Sequence, residues 1–470
     1  MSAVYRDTRA DIDTAAIQRN LSKIRRRFPA SVRLMAVVKA NGYGHGAIAS
    51  AQAAQAAGAD MLGVALLEEA IELREQGIQL PILVLAPILP RYAELAAALD
   101  IQLTVTEADW FRQREEWRQP QSGGKSVDRQ SGGDAPADVQ GSCDLPLRVH
   151  VKFDTGLGRI GLRSREEWNE LAFWLKREDI IVEGLFTHFA TAGWADTSFV
   201  KLQYERFLSM TQWARSSGIH ATLLHCCGSA SALRFPEMSL DMIRIGAAAY
   251  GFYPSALAPQ WELEPAMTLR SRLIQAKAVA AGDTIGYDRA YTAKGEEWIG
   301  TVPIGYADGW SQVMKGGEVL VGGQRAPIVG RISMDQLMIR LPGPCRAGDP
   351  VVLIGSQGSE TLSCTEAASR AGIVPQEITS SLTARVPRVI DPIGDGEISA
   401  YAKRSSEAPS GAASGSSFGA SFGSSFGASF GIPSESLSES SSDISPDFSR
   451  QVPSEEEEHA WKFKPNALRR

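Results

Sequence analysis

Three things are scarce in this sequence, and each scarcity removes a class of function. Basic residues do not outnumber acidic ones: 48 Lys and Arg stand against 54 Asp and Glu, a net charge of −6. That balance gives no support to a nucleic-acid or membrane-surface partner, whose recognition needs a positive field. The one basic cluster, 23-KIRRR-27, falls on a helix as a solvated face. Cysteine is rare, five in 470 residues, and the odd count argues against a disulfide framework. Cys226 and Cys227 are adjacent, which is not a zinc-ligand spacing, so no metal site is expected. Long apolar runs are missing as well. The longest, 80-LPILVLAPILP-90, is broken by three prolines and is too short to cross a bilayer. The stretch MSAVYRDTRADID has no apolar core of a secretory signal. A cytoplasmic, reduced protein is the expectation.

What is present is an ordinary globular composition, 44% hydrophobic and 22% charged, in a chain long enough for two or more domains. Up to about residue 250, short β-rich runs alternate with helix-forming segments. The first helix is expected in 13-DTAAIQRNLSKIRRRF-28, where Asp13 or Thr14 caps and Ile17, Leu21, Ile24 and Phe28 share one face. Strands are expected at 34–38, 61–66, 82–86, 101–105, 147–153, 181–188, 222–226 and 242–246. Near-continuous apolar strands separated by helices imply a parallel sheet covered on both faces. Eight such units imply an α/β fold, a closed (β/α)8 barrel of the TIM type, over 1–250. The rival, an open doubly wound sheet, ordinarily carries GxGxxG after its first strand, and 39-KANGYGHG-46 does not match it. Beyond about residue 265, short β-branched segments at 298–305, 318–323, 326–332, 337–341 and 350–355 predict a mostly β domain over 251–396. Two stretches are expected not to fold: a polar, glycine-rich insertion at about 119–146, and a low-complexity tail over 397–470 with the repeat 416-SSFGASFGSSFGASFG-431.

The chemistry-bearing residues gather at strand ends. The stretch 36-AVVKANGYGHG-46 closes an apolar run on an amine, Lys39, and follows it with glycines that loosen the backbone. Lys152 and Asp154 end the fifth strand, with Arg159 just beyond; His188 ends the sixth; Ser229 follows the seventh; Arg244 and Gly246 end the eighth. In a barrel these ends share one rim, where active sites lie. The serine after strand seven and the glycine turn after strand eight occupy the places where barrels commonly bind phosphate. A lysine facing such a cradle suits pyridoxal phosphate, whose aldehyde takes the amine while its phosphate anchors the other end. Taken singly, Lys39 reads as a solvated charge, His188 as a satisfied rim histidine, and Tyr43, Tyr287 and Tyr306 as packing residues with a polar tip. Their coincidence at one rim is what points to catalysis.

The motifs AVVKANGYGHG, KFDTGLGRIG, GLFTHFA, SALRFPE, IRIGAAAYG, GYDRAYTAKGEEWIGTVPIGYADGW, PIVGRISMDQ and LTARVPR, taken together, resemble alanine racemase, a fold-type III pyridoxal-phosphate enzyme. The resemblance runs from about residue 5 to 392, leaving out the insertion. It implies a head-to-tail homodimer whose sites take residues from both subunits, supplying D-alanine for peptidoglycan. Lys39 is then the residue joined to pyridoxal phosphate; Tyr43, Ser229, Gly246 and Ala247 hold the phosphate; Arg244 faces the pyridine nitrogen. A guanidinium cannot accept a proton, so that nitrogen stays unprotonated, the electron sink is weaker, and fast reprotonation favours racemisation over transamination. Racemisation needs one proton-transferring group on each face of Cα. Lys39 serves one face and, by resemblance, Tyr287 of the partner subunit serves the other. A phenol titrates near pH 10, so it needs cationic or hydrogen-bonding neighbours to act as a base; the resemblance assigns that task to His188 and Arg159.

By the same resemblance Lys152 is carbamylated and orients Arg159, with an ordinary lysine paired to Asp154 as the alternative. Met334 and Asp335 match positions near the substrate carboxylate, and Tyr306 a residue at the mouth of the site. The sequence departs from the family at Gly228, where many members have asparagine, at Ala384, where some have a phosphate-binding tyrosine, and at Asp288, which replaces a common glycine. Two alternatives stay open: a racemase of serine or of broader specificity, and a non-catalytic carrier of pyridoxal phosphate. The β domain bearing Tyr287 speaks against the carrier, and the substrate motifs of the decarboxylases on this scaffold are missing.

Overall fold

The structure is a computed structural model that describes residues 5–118, 145–252 and 261–391. The expected insertion at 119–146, but for its last two residues, and the expected tail at 397–470 lie outside the described residues.

The first strand, β1 (Arg9–Ile12), leads into the helix Thr14–Arg25. Asp13 caps that helix by accepting a hydrogen bond from the N–H of Ala16 at 2.8 Å. Ile17, Leu21 and Ile24 on its inner face are at most 1% exposed, each burial contributing about 1.5–3 kcal/mol. Phe28, just past the helix, is buried on the same side.

Eight parallel strands follow: β2 (Arg33–Val37), β3 (Met61–Val64), β4 (Ile82–Val84), β5 (Ile101–Val105), β6 (Leu147–Lys152), β7 (Ile180–Phe186), β8 (Leu223–His225) and β9 (Met242–Ile245). They pair in the order β8-β7-β6-β5-β4-β3-β2-β9. Between β8 and β9 the ring is completed by bonds from Asp241 N to Leu224 O (3.0 Å) and from Arg244 N to Cys227 O (2.9 Å). Strands such as 82-ILV-84 are buried at every position, as a sheet packed on both faces requires. Residues at the strand C-termini therefore converge on one end of the barrel.

The second sheet is mostly antiparallel. Its strands are β10 (Met267–Arg272), β11 (Gln275–Val279), β14 (Glu297–Val302), β15 (Glu318–Val321), β16 (Gln324–Val329), β17 (Leu337–Leu341), β18 (Pro350–Gln357), β19 (Glu360–Leu362) and β20 (Arg388–Ile390), with a separate small hairpin of β12 (Thr284–Ile285) and β13 (Tyr291–Thr292). The path is β11-β14-β17-β16-β15-β18-β10-β1-β20, with β19 on β18. Thus β1, which precedes the barrel in sequence, belongs to the second sheet, antiparallel to β10 and parallel to β20. Asp391, just past β20, fastens the start of the first helix by accepting from Thr14 N at 2.8 Å and Thr14 Oγ1 at 2.6 Å. Among the described residues no helix is long and apolar enough to cross a membrane.

Candidate active site

Lys39 lies two residues past β2, half-buried at the rim. Its amine is held below the ordinary lysine range, first by burial and then by the charge of Arg159, against the opposing charge of Glu69. The glycines after it do not loosen the backbone, as the sequence suggests. Ala40, Asn41, Gly42, Tyr43 and Gly44 all have positive φ, from 52° to 84°, and form one left-handed turn. For the three non-glycine residues this conformation costs about 1–2 kcal/mol each. Surrounding bonds hold it: Ala40 N donates to Glu69 Oε1 at 2.6 Å, Ala47 N to Asn41 Oδ1 at 2.8 Å, and Arg388 Nε to Gly44 O at 2.9 Å. Gly42 and Gly44 are required by space as well, since a Cβ at Gly44 would lie 1.9 Å from Thr379 O.

The anion cradle is built at the end of the neighbouring strand, since β9 pairs directly with β2. Ser229 opens the helix Ser229–Arg234, and its Oγ accepts from Gly246 N at 3.0 Å and Ala248 N at 3.3 Å. A Cβ at Gly246 would sit 2.4 Å from the Tyr43 hydroxyl, so only glycine leaves room for that phenol. Tyr43 stacks on Tyr250 with ring centroids 5.1 Å apart, and burial raises its phenol to about 12. Ala247 follows, half-exposed.

Arg244, on β9, is buried and finds only neutral acceptors: His225 Nδ1 (2.9 Å), Thr187 O (2.8 Å), Cys226 O (3.0 Å) and His188 Nδ1 (3.1 Å). A guanidinium can only donate, so the tautomers behind it are fixed. His225 carries its proton on Nε2 and donates to His150 Nδ1 at 3.0 Å; His150 donates from Nε2 to Gln102 Oε1 at 2.8 Å. This relay across β5, β6, β8 and β9 escaped the sequence reading, which looked at strand ends. Its signal was there: Gln102, His150 and His225 are polar residues inside otherwise apolar strands. His188 is fixed in the same way, with its proton on Nε2. Burial and the charges of Arg244, Lys152, Arg159 and Lys39 keep its imidazole neutral.

Lys152 ends β6, buried, with Nζ 4.2 Å from the centroid of the Phe186 ring. Burial and the charges of Arg244 and Arg159 hold its amine well below the ordinary range, against Asp154. Asp154 itself accepts from Gly156 N and Gly158 N, both at 3.0 Å, and no ion pair joins it to Lys152. Arg159 is exposed at the rim.

The remaining expected residues sit on the β domain. Tyr287, Met334 and Tyr306 are exposed there, at 69%, 52% and 44%. Asp335 pairs with Arg385 at 2.7 Å. No hydrogen bond, ion pair or ring contact among the described residues joins Tyr287 to the rim of its own chain. The departures have local reasons. At Gly228 a Cβ would meet His188 Cε1 at 3.0 Å, so the imidazole occupies part of an asparagine's space. Asp288 has φ +56°, a conformation that favours the glycine it replaces, and pairs with Arg331 at 3.0 Å. Ala384 is exposed. Among the described residues no group of three or more His, Cys, Asp or Glu is placed to hold a metal ion.

The buried imidazoles make the fold acid-sensitive. Burial lowers His45 to about 4 and His150 to about 3, and holds His225 well below 6.5. In each case the unfolded chain takes up the proton first, so stability is full above pH 6.5 and falls as the pH drops through it towards 4. Three such groups give a limiting slope of about 4 kcal/mol per pH unit. Urea unfolding at pH 7, 6 and 5 is expected to show midpoints that drop steadily; a constant midpoint would contradict the neutral relay.

A barrel whose strand ends gather amines, guanidinium groups and an anion cradle, followed by a β domain, is the architecture the sequence led one to expect, and comparison with known proteins gives the family. The family "Alanine racemase, N-terminal domain" matches residues 12–254, and "Alanine racemase, C-terminal domain" matches residues 266–390. The alanine racemase of Geobacillus stearothermophilus is 42% identical over 415 residues, covering 85% of this chain and all of that protein. Among solved structures, alanine racemase from Bacillus anthracis with bound L-Ala-P is 40% identical, with a TM-score of 0.76 over 84% of this chain and 97% of that one. The alanine racemase of E. faecalis is 41% identical, with a TM-score of 0.74 over 83% and 100%. The chain belongs to the alanine racemase family and is an enzyme of it.

Proposed function

We propose that this enzyme interconverts L- and D-alanine with pyridoxal phosphate joined to Lys39, as a cytoplasmic homodimer supplying D-alanine for peptidoglycan. The barrel, expected over 1–250 but without β1, which pairs in the second sheet, holds the cofactor; the β domain, 251–396, completes the site of the other subunit. The observation that carries the reading is Lys39, an amine depressed by burial and by Arg159, at the same rim as the Tyr43–Ser229–Gly246 cradle, whose strand β9 pairs with its own.

The residues present fit the cofactor. Lys39, Lys152, Arg159 and Arg244 meet at the rim, and the nearby carboxylates of Glu69 and Asp154 are engaged by backbone N–H groups. Such a field suits a phosphate, with Ser229 Oγ, the Ala247 N–H and the Tyr43 hydroxyl as its donors, while Gly246 fixes Ser229 Oγ through its own N–H and leaves room for the phenol. Among the described residues Arg244 Nε–H meets no protein acceptor, and it suits the pyridine nitrogen as a donor that takes no proton back. Bound pyridoxal phosphate supplies an electron sink that acidifies the substrate Cα–H.

Lys39 removes or returns the proton on one face of Cα, and its lowered pKa keeps more of the amine in the free-base form this requires. The partner subunit's Tyr287 serves the other face. The exposure of Tyr287, Met334 and Tyr306, with no bond among the described residues from Tyr287 to its own rim, supports this exchange between subunits. His188, neutral and protonated on Nε2, donates a hydrogen bond to the phenolic oxygen; Arg159 adds its charge and holds the substrate carboxylate, aided by Met334. Asp335 and Tyr306 shape the mouth of the site. Lys152, a buried amine held well below the ordinary lysine range by burial and by Arg244 and Arg159, with no ion pair to a carboxylate among the described residues, takes up CO2 in its free-base form to give a carbamate and a released proton. The resulting anion orients Arg159.

Purified protein incubated with pyridoxal phosphate and L-alanine, L-serine or other L-amino acids, followed by chiral chromatography, tests the proposal. D-alanine is expected to form fastest. Equal turnover of serine would mean a broader racemase, and cofactor binding without any D-amino acid would mean a carrier.

A further inference from the structure

One short segment, 382-LTARVPR-388, ties together two surfaces that the proposed reaction uses. At one end Arg388 reaches into the barrel. Besides its bond to Gly44 O, its Nη1 and Nη2 donate to the carbonyls of Thr383 (2.6 Å), Val386 (2.8 Å) and Leu382 (2.6 Å). All its acceptors are main-chain oxygens, so the planar fork folds the segment on itself and pins it to the left-handed turn after Lys39. At the other end Thr383 donates from N to Asp308 O (3.1 Å) and from Oγ1 to Ala307 O (3.0 Å). Arg385 pairs with buried Asp308 at 3.2 Å and with Asp335 at 2.7 Å. Ala307 N in turn donates to Met334 O at 3.0 Å. The exposed surface of Tyr306 and Met334 is thus bonded to the same strap that bonds to Gly44.

We propose that this strap is a positioning device that couples the lysine turn of one site to the Tyr306–Met334 surface which the same chain offers to a second copy. It makes the two sites of a dimer mechanically dependent on each other, and it rests on the shared-site reading above. A left-handed turn with three non-glycine residues persists only where its surroundings over-determine it, and Arg388 supplies that constraint from the β domain. A displacement of Tyr306 or Met334 as the other site fills is passed through Asp308 and Asp335 to Arg385, along three residues, and to Gly44. Arg388 and Arg385 touch neither substrate nor cofactor; they act through the turn and the surface that they hold.

Hydrogen–deuterium exchange on the full chain with pyridoxal phosphate bound tests this, using Arg388→Lys and Arg385→Lys separately. Each keeps the charge and removes the fork. Either variant is expected to speed exchange about 10-fold in both 40–46 and 304–308, including the segment its own side chain does not touch, with 147–152 unchanged. Faster exchange confined to 40–46 for Arg388→Lys and to 304–308 for Arg385→Lys would overturn the coupling, leaving two local contacts. A uniform rise through the barrel would overturn it too. Failure of the shared-site reading is seen separately, as a wild-type chain that sediments as a monomer or forms no D-alanine.

Discussion

Lys39→Ala is expected to abolish racemisation and, with it, the visible absorbance of lysine-bound pyridoxal phosphate. Two losses coincide in this one substitution. The covalent tether that fixes the cofactor relative to its phosphate cradle disappears, and so does the proton-transferring group on one face of Cα. A positioned general base alone is worth about 10²–10⁴ in rate, so the combined loss is expected to exceed about four orders of magnitude. The fold should survive, because Lys39 makes no hydrogen bond or ion pair among the described residues and the left-handed turn is held by Glu69, Asn41 and Arg388. Circular dichroism and a thermal midpoint near that of the parent would show this. A variant that keeps both the absorbance and its turnover would remove Lys39 from the chemistry.

Tyr287→Phe is expected to separate the two faces. The phenyl ring keeps the packing and loses only the oxygen, so cofactor absorbance should remain while racemisation falls by about 10²–10⁴. The loss should fall chiefly on the direction in which the phenolate takes the proton, and solvent deuterium should still wash into the Cα position of the other enantiomer through Lys39. Because Tyr287 is 69% exposed in its own chain, the substitution should leave the stability of the isolated chain within about 0.5 kcal/mol. Mixing Tyr287→Phe with Lys39→Ala subunits gives a sharper check. Hybrid dimers regain one intact site if the two residues come from different chains; if they came from the same chain, a hybrid would keep none. Equal rates in both directions, at parental level, would remove Tyr287 from the mechanism.

The barrel was readable because strands buried on both faces are nearly unbroken apolar runs, as in 82-ILV-84 and 34-LMAV-37. Lys39 was readable for a related reason: an amine closing such a run is out of pattern. Three things were not. The strand β1, 9-RADI-12, alternates polar and apolar over only four residues, too few to stand out, and its pairing is set by residues some 250 to 380 positions further on. The left-handed turn was signalled by its glycines, but nothing in Ala40, Asn41 or Tyr43 announces positive φ; the constraint comes from Glu69, Thr379 and Arg388. The relay of Gln102, His150, His225 and Arg244 needs the closed barrel to bring four strands' side chains into line, and the role proposed for Tyr287 needs a second copy of the chain.

The place of β1 has a consequence for how the polypeptide is made. It is synthesised before every other described strand, yet its neighbours are β10, near residue 267, and β20, near residue 388. At about 5–20 residues per second, its second edge waits roughly 20–80 s for a mate. The nascent chain can assemble the cylinder in that interval, but among the described strands the one synthesised last is the one that locks β1.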